Sequence, residues 1–295
     1  MLSFKVIPKE YFPVFDENQL KSYTDPRPGV LEDIDIFKEG ERSKGHPSNF
    51  SLFQESDSAN LLVFPYYLEL FEFFGRSQLV TPILSQLCSS NPDKTFVAQW
   101  NHDDDFALKF PELGRIENLR ILNFNTSNKH VNDIVLPFWT LDTNLVEEDK
   151  RYKYGFIGEV THPVRAKLLR AFQGDSECFI GSKLEYQEFR KTVSSCRFSF
   201  CPRGAGLSSW RFFECIHLNT IPVLFADDVE LPFPDLDYSK FCVRLPEDMV
   251  GDKEAIKKSL ESVDESQMLT NLKEVRNRFT LKGVQEEVHR CLLSL

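Results

Sequence analysis

Residues 198–225 read FSFCPRGAGLSSWRFFECIHLNTIPVLF. A short phenylalanine-rich apolar run ends at Pro202, a loop with two glycines follows, and a helix predicted over 209–218 leads to a second apolar run, 221–225. A strand, a loop, a helix and another strand make up the repeating unit of parallel α/β sheets. This stretch therefore predicts an α/β fold.

The same alternation runs in both directions from this stretch. Proline-closed or turn-bounded apolar runs too short for core helices predict strands, and segments between them have helical spacing. A polar segment, 142–153, predicts a boundary between two Rossmann-like domains, residues 1–145 and 146–295, that face a cleft. Helices over 264–293 are expected to pack back onto a domain. The predicted strands are 60–67, 95–100, 120–124, 133–137, 154–157, 178–180, 197–201 and 221–225, and the predicted helices include 78–87, 163–172 and 186–193.

Composition excludes several classes of protein. The formal net charge of -10 argues against a nucleic-acid-binding protein, which needs a basic footprint. No stretch approaches the roughly 20 apolar residues of a membrane span, and no apolar signal block follows the first lysines, so we expect a cytoplasmic protein. The seven cysteines are scattered and never spaced as CxxC, which indicates free thiols rather than disulfides or a zinc site.

Residues 16–58 are expected to form a long surface segment.

The glycine-containing loop is the best candidate for chemistry. Gly204 lets the backbone approach a ligand, Ser208 or Ser209 can cap the helix, and free N–H groups at a helix start favour an anion such as a diphosphate. Arg211 adds a fork of charged donors, and Glu214, one turn further, is placed to accept hydrogen bonds from ribose hydroxyls. His217 follows at the same spacing, so we expect it on the same polar face. The alternative is a surface Arg–Glu pair after an ordinary turn.

The sequence resembles the exostosin family here. The strand, the glycine loop, Arg211, Glu214, Ile221-Pro222-Val223, the acidic turn at Asp227-Asp228 and Pro232-Phe233 follow one another as in that family's donor-binding domain. Gly158, with Arg165 after it, looks like the family's strand-glycine segment and following arginine, and weaker similarity begins near residue 59. The resemblance implies the GT-B fold, an inverting transfer from a nucleotide-sugar donor to a glycan acceptor, and no requirement for a tightly held metal or cofactor.

Two features depart from the family, and they concern the donor sugar and the catalytic base. Asn219-Thr220 stands where glycine usually precedes Ile-Pro-Val, and Gln99 to Asp105 replaces an aromatic-rich Gly-x-Asp-His segment. Because no membrane anchor is found, the chain resembles small virus-encoded exostosin-like enzymes that glycosylate in the cytoplasm. A xylosyltransferase of large algal viruses is the nearest of these, which favours UDP-xylose as the donor and a glycan or glycoprotein as the acceptor.

An inverting transfer needs a base for the acceptor proton and positive groups for the departing diphosphate. Arg211, Arg165 and Arg203 are candidates for the second role. For the base we consider the acidic loop after the predicted strand ending at Trp100, with Asp103 first, Asp105 second and His102 beside them. Glu159 is a further candidate on the donor side. The alternatives are a solvated turn or helix cap, an Asp-x-Asp metal site, and a glycan-binding module that has lost catalysis.

Overall fold

The computed structural model describes residues 3–7, 54–100, 102, 104–124, 133–138 and 146–293. The chain divides into two compact units, the first formed by residues 1–136 with 281–295 and the second by residues 137–280. Within the described ranges, no helix is both long enough and apolar enough to cross a membrane. The expected surface segment 16–58 lies outside the described residues as far as position 53.

The first unit is built on a six-stranded sheet in which all paired strands are parallel. Its strand order is β2-β1-β3-β4-β5-β6, with β1 Ser3–Val6, β2 Gln54–Glu55, β3 Leu61–Tyr67, β4 Thr95–Trp100, β5 Leu119–Asn123 and β6 Asp133–Val135. The helices are α1 Glu69–Phe73, α2 Val80–Ser90 and α3 Phe106–Lys109, and the 3-10 turns are Ser77–Leu79 and Leu113–Arg115. The four predicted strands are confirmed. The strands β1 and β2 were not predicted, because segments of four and two residues carry too little pattern.

The second unit contains a five-stranded parallel sheet in the order β11-β10-β9-β7-β8. Its strands are β7 Tyr152–Ile157, β8 Cys178–Gly181, β9 Cys196–Pro202, β10 Ile221–Phe225 and β11 Val243–Leu245. Its helices are α4 Pro163–Phe172, α5 Tyr186–Ser194, α6 Trp210–His217, α7 Lys253–Glu261 and α8 Glu265–Val275, and its 3-10 turns are Tyr238–Lys240, Glu247–Gly251 and Arg276–Phe279. The expected α/β fold with two Rossmann-like domains is confirmed by these two parallel sheets.

Aromatic side chains fill the core of the second unit. Tyr154 lies parallel to Phe200 with ring centroids 5.7 Å apart, and Phe172 packs on Phe200 at 4.8 Å. Phe156, Phe198 and Phe225 belong to the same buried cluster. Burying one such ring contributes about 1.5–3 kcal/mol, so this core holds the strands at a fixed register.

The structure draws the unit boundaries differently from the sequence. The division falls between residues 136 and 137, and the last helix, α9 Leu281–Leu293, groups with the first unit rather than with residues 146–280. The apolar stripe of α9, Val284, Val288 and Leu292, is buried. A stripe at helical spacing predicts that a helix packs on something, but it does not indicate which sheet provides the complementary surface.

Lys150 lies in the polar segment before β7 and binds backbone groups of the second unit. Its ammonium group donates hydrogen bonds of 2.8 Å to the backbone oxygens of Ser194, Cys196 and Asn219. These oxygens lie at the amino end of β9 and in the turn before β10. This charged group therefore ties three backbone segments of the second unit together.

Candidate functional site

Three loops emerge at the carboxyl edge of the second sheet, which we define by the residues after β7, β9 and β10. These strands are neighbours and run parallel, so their carboxyl ends meet at one edge. Gly158 and Glu159 follow β7, Arg203 and Gly204 follow β9, and Ala226 begins the loop after β10. Ligands of open parallel sheets bind at this edge, so the candidate residues lie where a site is expected.

Arg165 of α4 joins the first two loops. Its Nε donates to the backbone oxygen of Arg203 at 3.1 Å, and its Nη1 donates to that of Glu159 at 3.0 Å. A Cβ atom on Gly204 would lie 3.0 Å from Arg165 Nη2 and 3.2 Å from Thr161 Oγ1, so a larger residue here would press on the Arg165 guanidinium, and the close approach favours glycine. Burial lowers the pKa of Arg165, and the positive charge of Arg211 lowers it further. The two guanidinium groups therefore act on each other at one site.

Arg211 is held at the same edge by three contacts. Its Nη2 donates to the backbone oxygen of Ile157 at 2.6 Å, and its guanidinium lies 3.9 Å from the ring centroid of Phe189. Its Nη1 is 3.1 Å from Glu214 Oε2, as the i,i+3 spacing predicts, although this ion pair is not aligned as a hydrogen bond. The side chains of Arg211 and Glu214 are 16% and 20% exposed. Both side chains are thus largely buried but still accessible to a ligand.

Several buried donors at the carboxyl edge have no hydrogen-bond partner among the described residues. They are Arg203 Nε, Ser209 Oγ, and Nε and Nη1 of Arg211. Ser209 is the N-cap residue of α6 and has an extended backbone, but its hydroxyl does not cap the helix, contrary to expectation. Ser208 precedes the cap and is half-buried. Because buried polar groups are normally paired, these donors indicate a place prepared for an external acceptor, and an anion suits arginine donors best.

His217 does not belong to this site, and the prediction that it shares the polar face of Arg211 and Glu214 is wrong. It is buried, and its Nε2 lies 3.1 Å from the backbone oxygen of Phe279. Since a carbonyl oxygen only accepts, Nε2 carries a proton. Burial lowers the pKa of His217 most, and the charges of Arg276 and Arg190 lower it further. The residue is therefore a structural tie between α6 and the turn after α8.

We expect His217 to make the second unit sensitive to mild acid. Its folded-state pKa lies below the usual value near 6.5, so its contribution to stability is complete above that pH and is lost as the pH falls below it. Replacing His217 with glutamine, which stays neutral, should flatten the dependence of melting temperature on pH between about 7 and 5.5. Thermal unfolding of both proteins across this range tests it, and an equally steep fall in the variant would contradict the assignment.

The acidic loop after β4 contributes differently from the sequence prediction. Asp105 is buried and its Oδ1 accepts the N–H of Ala107 at 3.0 Å, so it caps α3. A helix cap was the alternative to the predicted role of Asp105 as a base. The backbone N–H of Asp104 donates to His102 Nδ1 at 3.1 Å. The neutral ring then carries its proton on Nε2, and neither nitrogen is a ready base in this conformation. Asp103 lies outside the described residues.

Lys109 dominates a charged cluster beside this loop. Its ammonium group is 2.9 Å from Asp104 Oδ2 and forms an ion pair with Glu72. Among the described residues, Glu72, His102 and Asp104 form the group with metal-ligand spacing, their ligand atoms lying within 4.8 Å of one another. The lysine supplies the positive charge that a metal ion would otherwise bring, and its hydrogen bond is the main reason that the pKa of Asp104 is lowered. The cluster is therefore a poor fit to a metal site.

Glu159 is the base candidate that lies at the carboxyl edge itself. Its carboxylate is 3.4 Å from Lys183 Nζ, and both side chains are exposed. An exposed ion pair of this kind contributes little to stability, so the carboxylate can leave it at little cost. Its backbone oxygen, in contrast, is fixed by Arg165. Glu159 remains a candidate base.

Two acidic groups that frame the edge were missed as site residues. The carboxylate of Asp227 accepts the N–H of Glu247 at 3.1 Å, and Arg244 braces the same loop by donating to the backbone oxygens of Ala226 and Asp227. Burial raises the pKa of Glu247, the charges of Asp227 and Asp228 act in the same direction, and Arg203 opposes them. Glu247 follows β11, a three-residue strand without a clear pattern, so no sequence signal placed it here.

Asn219 shows how this chain departs from the family pattern without losing the turn. Its φ of 52° is in the left-handed region, which glycine adopts most easily and asparagine tolerates better than most residues. It ends the turn between α6 and β10, whose residues pair with β9 in full register. The missing glycine therefore leaves the geometry of the carboxyl edge in place.

Comparison with known proteins gives the family. The model of the exostosin GT47 domain matches residues 89–260, which is more than half of the chain. The chain belongs to this family. Its parallel sheets and loop motifs are thus those of a family member, and the sequence resemblance to exostosins is confirmed.

The relatives of this family member include plant proteins. A probable glycosyltransferase of Arabidopsis thaliana is 30% identical over 52% of this chain and 33% of its own length. A probable glucuronosyltransferase of Oryza sativa subsp. japonica is 33% identical over 37% of this chain and 24% of its own length. The matches thus span a third or less of these relatives. Among solved structures, a GtfA/B complex covers 79% of this chain and 57% of its own, with 13% identity and a TM-score of 0.46.

Proposed function

We propose that this protein is a glycosyltransferase that moves a sugar from a UDP-sugar donor to a hydroxyl group of a glycan acceptor. The observation that carries the proposal is the set of unpartnered buried donors of Arg203, Ser209 and Arg211 at the carboxyl edge. Membership of the exostosin GT47 family supports the reaction class. A diphosphate supplies the acceptor oxygens and the negative charge that such donors require.

The second half of the donor site would recognise the nucleoside. Glu214 lies one helical turn beyond the start of α6, next to Arg211, and carboxylate oxygens accept hydrogen bonds from ribose hydroxyls. Arg211 and Glu214 would then bind two adjacent parts of one nucleotide.

For the chemical step we propose an inverting displacement. The acceptor oxygen attacks the anomeric carbon, a base removes the acceptor proton, and the bond to the diphosphate breaks with its electron pair on the departing oxygen. The guanidinium groups of Arg165, Arg203 and Arg211 would stabilise that negative charge, which is the task a metal ion performs in other transferases. The transfer is therefore proposed to need no tightly held metal, and Asp103 or Glu159 to supply the base.

The donor sugar is proposed to be xylose, from the resemblance to virus-encoded xylosyltransferases, and the acceptor a glycan or glycoprotein. A thermal-shift screen of UDP, UDP-xylose, UDP-glucose, UDP-galactose, UDP-N-acetylglucosamine and GDP-sugars tests the donor class. A ligand at 100 times its Kd should stabilise the protein by about 2.7 kcal/mol. For the UDP-sugars that bind, release of UDP is then measured in the presence of oligosaccharide acceptors, because transfer of the sugar releases UDP.

The outcomes of this screen separate the alternatives. Stabilisation by UDP with sugar transfer supports the proposal, and insensitivity of the transfer to EDTA supports its metal-independent form. Binding of oligosaccharide without hydrolysis or transfer from any nucleotide sugar would instead identify a glycan-binding module. No shift with any nucleotide would overturn the donor-site assignment.

A further inference from the structure

Trp210, the first residue of α6, is a large aromatic side chain beside the carboxyl edge with no role assigned so far. It is 41% exposed. Its ring stacks on Phe138 with centroids 4.6 Å apart and an interplanar angle of 17°. Single exposed hydrophobic residues are common, so exposure alone means little. What distinguishes Trp210 is that its two neighbours in the chain, Ser209 and Arg211, both have buried donors without a hydrogen-bond partner.

The packing beneath Trp210 holds its ring in a fixed orientation. Phe138 is buried, and it also contacts Phe213 of α6 edge-on, at 6.0 Å and 73°. A ring that is stacked on one face and exposed elsewhere loses little conformational entropy when a ligand covers it. Trp210 therefore has the properties of a preformed platform for a flat, partly apolar ring.

The direction of the helix indicates which part of a nucleotide sugar would meet this platform. Side chains of an α-helix lean toward its amino end, so the first residue projects beyond the start of the helix. Glu214 lies one turn in the opposite direction along α6. In a UDP-sugar the ribose is attached to one phosphate and the transferred sugar to the other. If the diphosphate occupies the helix start and Glu214 binds the ribose, the sugar therefore lies on the side of Trp210.

We propose that the indole ring of Trp210 packs against the sugar ring of the donor and helps to select it. This inference rests on the proposed function. The apolar C–H face of a pyranose offers the flat surface that an aromatic face accepts, while the hydroxyl groups stay on its rim. Trp210 would thus act on the sugar, and Arg211 and Glu214 on the nucleotide.

Calorimetric titration with UDP, UDP-xylose and UDP-glucose tests the assignment. Trp210→Ala should weaken binding of the preferred UDP-sugar about five- to tenfold, while the Kd for UDP changes less than about twofold. Trp210→Phe keeps an aromatic face and should retain most of the affinity. Phe73→Ala, which removes another exposed ring outside the second unit, should change neither Kd.

Each result has a defined meaning. Equal weakening for UDP and UDP-sugar would place the ring against the nucleoside and overturn the proposal, as would unchanged affinity for every ligand. Melting temperatures without ligand show whether Trp210→Ala still folds. If it does not, Trp210→Phe is compared with the parent protein: retained affinity for the UDP-sugar supports the proposal, and a loss of affinity for UDP of more than about twofold overturns it. If the parent protein binds neither UDP nor UDP-sugar, the proposed function itself fails.

Discussion

Replacing Arg211 with alanine should abolish the stabilisation of the protein by UDP. The guanidinium has two buried donors, Nε and Nη1, without a hydrogen-bond partner, although Nη1 lies 3.1 Å from Glu214, and both donors suit a diphosphate oxygen. Charge-assisted hydrogen bonds contribute about 1.5–3 kcal/mol each, so losing one or two should raise the Kd for UDP by about 10- to 1000-fold. Thermal shift and calorimetry with UDP measure the effect.

Arg197→Ala is the matched control for this variant. Arg197 lies near the amino end of β9, its side chain is 51% exposed, and it pairs with Glu265 at 3.4 Å. Its removal takes the same charge from the same unit but leaves the carboxyl edge intact. Arg211→Ala also loses the bond to Ile157 and the contact with Phe189, so its melting temperature without ligand must be compared first. Equal UDP affinity in the parent and Arg211→Ala would show that the donor site lies elsewhere.

Glu214 offers a second test of the same pair. Glu214→Ala should also weaken the binding of UDP, because a ribose hydroxyl loses its hydrogen-bond acceptor. The binding of inorganic diphosphate should stay intact. If Glu214→Ala weakened the binding of diphosphate and of UDP equally, it would act by disturbing Arg211 rather than by losing a ribose contact. Comparing the two ligands therefore separates recognition of the nucleoside from recognition of the phosphates.

The strand–helix alternation was predictable because each element carries its own pattern. The strands Thr95–Trp100 and Ile221–Phe225 and the helix Pro163–Phe172 begin and end at the predicted residues, each bounded by proline, a turn or a polar cap. The placement of α9 was not predictable, since it depends on which surface complements its stripe. Long-range choices of this kind lie outside any local pattern.

The candidate site shows both the use and the limit of helical spacing. The three-residue step from Arg211 to Glu214 predicted an ion pair, and the pair is present. A second step does not stay on that face: each step of three falls about 60° short of a full turn, which places His217 about 120° from Arg211. That rotation turns His217 into the core, where it meets Phe279.

The unpaired donors could not be predicted from the sequence. A serine before a helix predicts a cap, and only the structure shows that Ser209 is buried with its hydroxyl unused. Likewise, the acidic loop after β4 reads as several equivalent carboxylates. The structure separates them, because Asp105 caps α3 and Asp104 pairs with Lys109.

These contacts narrow the choice of base, and we expect Asp103→Asn to have the largest effect on catalysis. Asp104 is bound to Lys109, which holds its pKa below its usual value, and His102 accepts a backbone N–H at Nδ1. The Asp104 carboxylate and His102 Nδ1 are thus already engaged, which leaves Asp103 and Glu159 as the better candidates. General-base catalysis contributes about 100- to 10,000-fold to the rate. Asp103→Asn should lower kcat by that factor and leave the Kd for UDP unchanged.

The neighbouring aspartate supplies the control that makes this test specific. Asp105→Asn should keep its activity, because asparagine caps a helix as well as aspartate does and the bond to Ala107 is preserved. Glu159→Gln should remove an exposed ion pair with Lys183 at little cost in stability. If Glu159→Gln lost transfer while Asp103→Asn remained fully active, the base would lie at the carboxyl edge of the second sheet. The proton would then leave the acceptor on the same unit that binds the diphosphate.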